Sequence, residues 1–338
     1  MYVFYIAFKY LKNFVFILLS LSAFYVIIDL IANFQKLPSS SNLVVLYIYY
    51  ILLYSFDMFY SLALVFAFLL TLYHMIKFNE FVSFYSLGFS IKKILKPFLM
   101  VGGIVFILFL MFESTKFAYF REYANAILSN KQYVDSDLFV KCKDRVVFMK
   151  KLNPLIKTAY DIKVFYLKDF KVYKILVARE AKFKDDVWEV KKAYISFITP
   201  NRVYHYVKNV KILKDFKPKI ISNLKQLNSI SLYDAILAIK IFKDVNVSIL
   251  FSIVLFKVFS ALSMICLIVI FLILSPIHPR VANVSFFLVK SVLFTILLWG
   301  SELMIFKFAK QGVLNPYVLI LPFLVVCGYS IYLFYKEK

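Results

Sequence analysis

The chain alternates between long apolar runs and short polar breaks. Residues 3–34 form one long apolar run whose only charges are Lys9, Lys12 and Asp29. About twenty residues follow the two lysines, enough to cross the hydrocarbon of a bilayer. Gln35 to Asn42 (QKLPSSSN) is a loop by its Pro and Ser content. Residues 43–76 form a second run, longer than one span needs. Residues 98–112 complete a third, in which Gly102 and Gly103 permit close helix approach or a bend. Three more runs close the chain at 248–274, 284–306 and 317–335. The pattern predicts a helical membrane protein with six transmembrane helices, arranged 3+3.

The period changes between the halves. Residues 161–167, 172–183 and 187–197 alternate apolar and polar side chains as strands do. Lys168-Asp169 and Asp185-Asp186 fall where hairpin turns belong. These features predict an inserted all-β domain over 114–230, with eight to ten short strands. Ser231-Leu-Tyr-Asp234 resembles a capping box, so an amphipathic helix is expected over 231–247.

The polar break at 77–96 predicts a helix lying on the membrane face. Asn79 is placed to cap its first turn. Phe78, Phe81, Val82 and Tyr85 form one stripe at helical spacing. Glu80 suits the positive end of the helix dipole. Gly88 can end the helix in a left-handed conformation, Ser90 offers a second cap, and Pro97 begins the next run.

Composition fits this picture. The 338 residues are 62% hydrophobic, with a mean hydropathy of +0.79. The net charge is +22, and residues 114–247 hold 27 Lys or Arg against 13 Asp or Glu. Among the short loops, most lysines and the arginine lie on the side of both termini. That side is therefore expected to be cytoplasmic, with the β domain outside. Long translocated domains cross largely regardless of charge.

No motif for catalysis is present. The sequence lacks G-x-x-x-x-G-K-[ST], H-E-x-x-H and G-x-S-x-G. Cys142, Cys266 and Cys327 are far apart, so neither a disulfide framework nor a metal site is expected, and no cofactor is implied. A basic domain outside the cytosol points to lipid phosphate rather than nucleic acid.

Lys257 lies inside the fourth run, where a charge is costly and faces a cavity or partner. Three roles fit it: contact with lipid phosphate, an internal ion pair, or snorkelling to the surface. Asp57 and Glu302 are placed to pair with Lys257 or Lys307 as glue between helices. Lys36, just beyond the first span, fits either a phosphate contact or an ordinary interfacial lysine.

The layout of two three-span halves around a β insert resembles the lipopolysaccharide-export permeases LptF and LptG. Asn79-Glu80-Phe81 with Ser86-Leu87-Gly88-Phe89-Ser90 looks like that family's segment between spans two and three. Ala178-Arg179-Glu180-Ala181 with Trp188 looks like a strand pair of its insert. The Lys257 region and Gly312-x-Leu314-x-Pro316 also have counterparts. Asn79 stands where Ser is common, and Pro is absent after Lys257. Ile28-Asp29-Leu30 looks more like LptG than LptF.

The resemblance implies a jellyroll-like insert in the periplasm and a multi-pass protein of the inner membrane. It implies a non-catalytic subunit of an ABC transporter that moves lipopolysaccharide toward the outer membrane. The implied partners are a cytosolic LptB-like ATPase dimer, an LptF-like paralogous permease and an LptC-like periplasmic protein. Asn79, Glu80, Phe81, Phe84 and Gly88 would couple to the ATPase. Lys36 and Lys257 would meet lipid phosphate. Two other functions fit the layout: a membrane sensor or scaffold with a ligand-binding outer domain, and an exporter of a different lipid.

Overall fold

A computed structural model describes residues 2–128, 136–142, 145–153, 158–168, 171–184, 187–197, 204–212, 230–241, 248–276 and 283–336. The chain divides into two compact units: residues 1–129 with 228–338, and residues 130–227.

The first unit is helical. Six helices are long and apolar enough to cross a membrane. They are α1 (Tyr2–Ala32), α2 (Ser41–Lys77), α4 (Ile91–Glu113), α7 (Ser248–Ile273), α8 (Val284–Gln311) and α9 (Ile320–Lys336), the last entered through a 3-10 turn at Pro316–Leu319. Three shorter helices join them: α3 (Glu80–Ser86), α5 (Phe120–Leu128) and α6 (Leu232–Ile241).

Helix α2 is the most enclosed span, packed against α1 and α7. Its 37 residues give a length of about 55 Å, well beyond a hydrocarbon core of ~30 Å. The surplus turns at its start are covered by α5. Val26, Tyr47, Ile51 and Ala124 form a small core there, apart from the main one. The main core joins Tyr10, Phe68, Phe98 and Met264 from both halves. Gly102 lets α4 approach α7, since a Cβ there would already touch Ile265 at 3.7 Å, while Gly103 faces open space. Apolar residues that point outward, such as Phe4, Phe24, Leu297 and Val325, are what a lipid-facing surface requires, because hydrocarbon does not penalise them.

The second unit contains a six-stranded antiparallel sheet. Its strands are β1 (Ser136–Cys142), β2 (Arg145–Asn153), β3 (Thr158–Lys168), β4 (Lys171–Lys184), β5 (Val187–Phe197) and β6 (Tyr204–Ile212), paired in sequence order. The inserted β domain is thus present. Its described strands number six rather than eight to ten. They form an up-and-down meander, whereas a jellyroll is built from Greek keys. Among the described strands, β4 runs for 14 residues where short strands are expected. Lys168 pairs with Lys171 and Lys184 with Val187, so the strands flank both predicted turns, whose residues 169 and 185–186 lie outside the described residues.

The buried positions explain the Ala-x-x-Ala spacing. Strict alternation puts residues two apart on one face. On β4, Leu176 and Ala178 are buried, but so is Ala181. On β5, Trp188 and Val190 are buried, then Ala193 and Ile195; on β3, Ala159, then Ile162 and Val164. All three strands step phase by one residue at the same level, so the register is kept across the step: Ala159 still pairs with Ala181, and Ala178 with Ala193. Asp161 sits at the step with φ +49°. Small side chains border it on every strand. Trp188 fills the core beside them, with Phe183 edge-on at 5.5 Å.

Candidate functional site

The break between α2 and α4 is a pair of corners rather than one helix. Residues 77–96, expected as a single coupling helix, divide among the end of α2, the seven residues of α3 and the first turn and a half of α4. Asn79 has φ +56° and makes no side-chain cap. It serves as a left-handed hinge, a conformation that a short polar side chain tolerates. This hinge resets the helical phase, so the stripe beginning at Phe78 does not persist. Phe78 is 65% exposed and Val82 36% exposed, while Phe81 is fully buried. The inner face instead carries Phe81, Phe84 and Tyr85, at the i, i+3, i+4 spacing counted from the new start.

Gly88 adopts φ +77°, as expected. Phe89 N–H donates to the Phe84 carbonyl at 3.0 Å and Gly88 N–H to that of Tyr85 at 2.9 Å. This is the Schellman closure, and the Phe84 and Phe89 rings seal it at 5.8 Å. Ser90 holds the N-cap position of α4 with its backbone, while its side chain makes no capping bond. Pro97 does not start a helix; it lies seven residues into α4.

Glu80 is turned toward α1. Its Oε1 accepts from Lys9 Nζ at 2.6 Å and from the Tyr5 hydroxyl at 3.2 Å. The expected coupling residues are therefore brought together, but Phe81 is fully buried and Glu80 and Phe84 face the bundle as well as the solvent.

A cavity of about 400 Å³ opens at the other end of the same bundle, between its two halves. Its apolar wall comes from Ile253 and Phe256 of α7 and Trp299 and Phe306 of α8. Phe256 and Phe306 stack at 4.4 Å. Four cations line it: Arg121, Lys257, Lys307 and Lys310. Lys36 does not; it ends a 3-10 turn after α1 and is exposed.

Two of these cations have carboxylate partners at close range. Arg121 Nη1 donates to Asp29 Oδ1 at 2.9 Å, and its guanidinium lies over the Tyr54 ring at 5.3 Å. Burial works against the Arg121 charge, but the Asp29 hydrogen bond and nearby tyrosines hold its pKa above the usual arginine value. Asp29 is itself buried and also accepts from the Tyr47 hydroxyl and from Asn33 Nδ2.

Lys257 lies within ion-pair distance of two carboxylates, one of the three arrangements that the sequence allows. Its Nζ stands 3.5 Å from Glu113 Oε1 and 3.7 Å from Asp57 Oδ2. Asp57 is on α2, Glu113 ends α4 and Lys257 is on α7, so the contact ties the two halves together. Glu302 pairs with no cation within 4 Å among the described residues; it accepts from Ser260 at 2.7 Å.

A family model for the lipopolysaccharide export system permeases LptF/LptG matches residues 4–336. The chain belongs to the LptF/LptG family. No curated protein matches it. As a permease of this family it is a multi-pass protein of the inner membrane, and the six spans with an inserted sheet are the architecture that the resemblance led us to expect. Sequence reasoning gave no role to three residues of this candidate site. Glu113 sat on the boundary between a span and the insert and received no role. Its signal was available: it is the only acidic residue between Glu80 and Glu122. Arg121 was hidden among the insert's many basic residues, and Asp29 had served only to compare the two paralogues.

Proposed function

We propose that this permease is one of two membrane subunits in an ATP-driven exporter that lifts lipopolysaccharide out of the outer leaflet of the inner membrane. The observation that carries this reading is a permease family match over nearly the whole chain; the chain also contains no phosphate-binding loop for ATP. The energy must then enter from a separate protein. An LptB-like ATPase dimer supplies it at the α3 corner, and an LptF-like paralogue completes the complex. Lipopolysaccharide passes to the β insert and on to an LptC-like protein. The charge bias of the short loops supports cytosolic termini and a periplasmic insert.

The energetics support a shared path. Exposing acyl chains to water costs about 0.8 kcal/mol per CH₂. A cavity of about 400 Å³ is the size of a small-molecule pocket and holds only part of a multi-acyl lipid, so a second subunit must wall the rest. Lys307 and Lys310 in that cavity suit phosphate groups of the cargo. Lys36 offers a further contact at the rim.

Purification of the tagged permease from its own membranes tests this. The expected result is a stoichiometric ATPase partner, together with lipopolysaccharide held at the inner membrane when the permease is depleted. Recovery without any ATPase supports the sensor reading instead, and unchanged surface lipopolysaccharide on depletion rules out this cargo.

A further inference from the structure

The ion cluster around Lys257 is unbalanced at close range. Two carboxyl groups, Asp57 and Glu113, share one ammonium. Lys257 is the tenth residue of α7, about 14 Å along the helix from its start. Glu113 is 2% exposed. Asp57 Oδ1, Glu113 Oε2 and Lys257 Nζ are all buried and make no hydrogen bond. Buried acceptors without donors are rare because each forfeits its hydration. One turn deeper on both α2 and α4, Tyr60 and Phe109 stack at 4.1 Å, nearly parallel, and close the site from below. The open side is the cavity, onto which Asp57, Glu113 and Lys257 all face.

We propose that Asp57, Glu113 and Lys257 form a proton-binding site inside the membrane bundle, in which the two carboxyls together hold one proton. The proton removes the uncompensated negative charge that a second carboxylate would place in a low-dielectric setting. Water in the cavity is the source and sink of the proton.

The neighbouring groups do not replace it. Arg121 on α5 is held by Asp29. Lys307 and Lys310 on α8 line the cavity but stand beyond 4 Å from both carboxyls. Glu302 on α8 accepts from Ser260. Tyr54 and Tyr60 on α2 add no cation. Because the site joins α2 and α4 to α7, its proton occupancy is coupled to how firmly the two halves are held. The inference rests on the bundle itself and is independent of the cargo or the ATPase.

Infrared difference spectroscopy on the full chain in lipid nanodiscs, stepped in pH, tests it. The expected result is a protonated-carboxyl C=O band at neutral pH that titrates away at higher pH. Asp57→Asn and Glu113→Gln should each abolish it, because one carboxylate then balances one lysine. Glu302→Gln should leave it. Lys257→Met should roughly double it, since both carboxyls then lack a cation. Thermal unfolding of each variant checks that it folds; should one fail to fold, the wild type and the remaining variants still decide. Absence of the band at neutral pH overturns the proposal, as does a band that survives both carboxyl substitutions. A titration that moves with sodium concentration also overturns it, by making a metal cation the occupant.

Discussion

Lys9 and Glu80 meet at 2.6 Å across the corner between α1 and α3. The short helix is therefore held by the first span rather than projecting freely from the membrane face. An external protein that pushes on α3 moves α1 with it.

The α1 contact and the proposed ATPase coupling are separable roles for Glu80. Glu80→Lys sets two ammonium groups against each other and is expected to destabilise the protein by about 1 kcal/mol, since the pair is partly solvated. The same variant is expected to lose its ATPase partner on purification. The charge swap Lys9→Glu with Glu80→Lys restores the contact. Thermal unfolding should recover in the double variant while copurification stays lost. Recovery of both would assign Glu80 to the α1 contact alone.

Gly88 is constrained by its backbone alone. A Cβ there meets nothing within 4 Å, so the cost of substitution is that of a left-handed L-residue. Gly88→Ala is expected to cost about 1–2 kcal/mol, and Gly88→Asn less. Unfolding in detergent reads the difference, and equal melting of all three proteins would contradict it.

Asp29 holds Arg121, and removing one partner strands the other. Asp29→Ala leaves a partly buried guanidinium without its carboxylate and removes the acceptor of Tyr47. Because Arg121 keeps 25% of its side chain in solvent, the loss is expected to be about 2 kcal/mol, short of that for a fully buried pair. The double variant Asp29→Asn with Arg121→Gln should cost less than the sum of those two single substitutions, and additivity would show that the two residues are uncoupled.

Trp188 is the largest fully buried side chain of the β insert. Trp188→Ala is expected to destabilise that unit by about 3–5 kcal/mol. Limited proteolysis of the whole protein should then cut within residues 130–227 at protease concentrations that spare the helical unit. Unchanged protection of the insert would argue against the packed core.

Two classes of structure follow from the residue pattern alone. Long apolar runs have one soluble-phase alternative, burial, and the chain has too few polar residues to cover six of them. The alternation in 158–197 set the boundaries of β3, β4 and β5 to within a few residues, because a half-buried strand must repeat every second position. Gly88 was legible for a similar reason, as a local backbone demand.

Tertiary structure alone decided which charges meet. Lys257 is 200 residues from Asp57 and 144 from Glu113, and pairing at that separation has no local periodicity. A helix register fixes which side of α2, α4 or α7 a residue occupies, but only packing brings the three sides together. The Asn79 hinge was hidden for a related reason: the same residue type caps helices and bends chains, and the choice depends on where Phe81 must be buried. The Lys9–Glu80 contact belongs here too. Local dipole arguments put Glu80 at a helix start, and the fold gave it a lysine from another span.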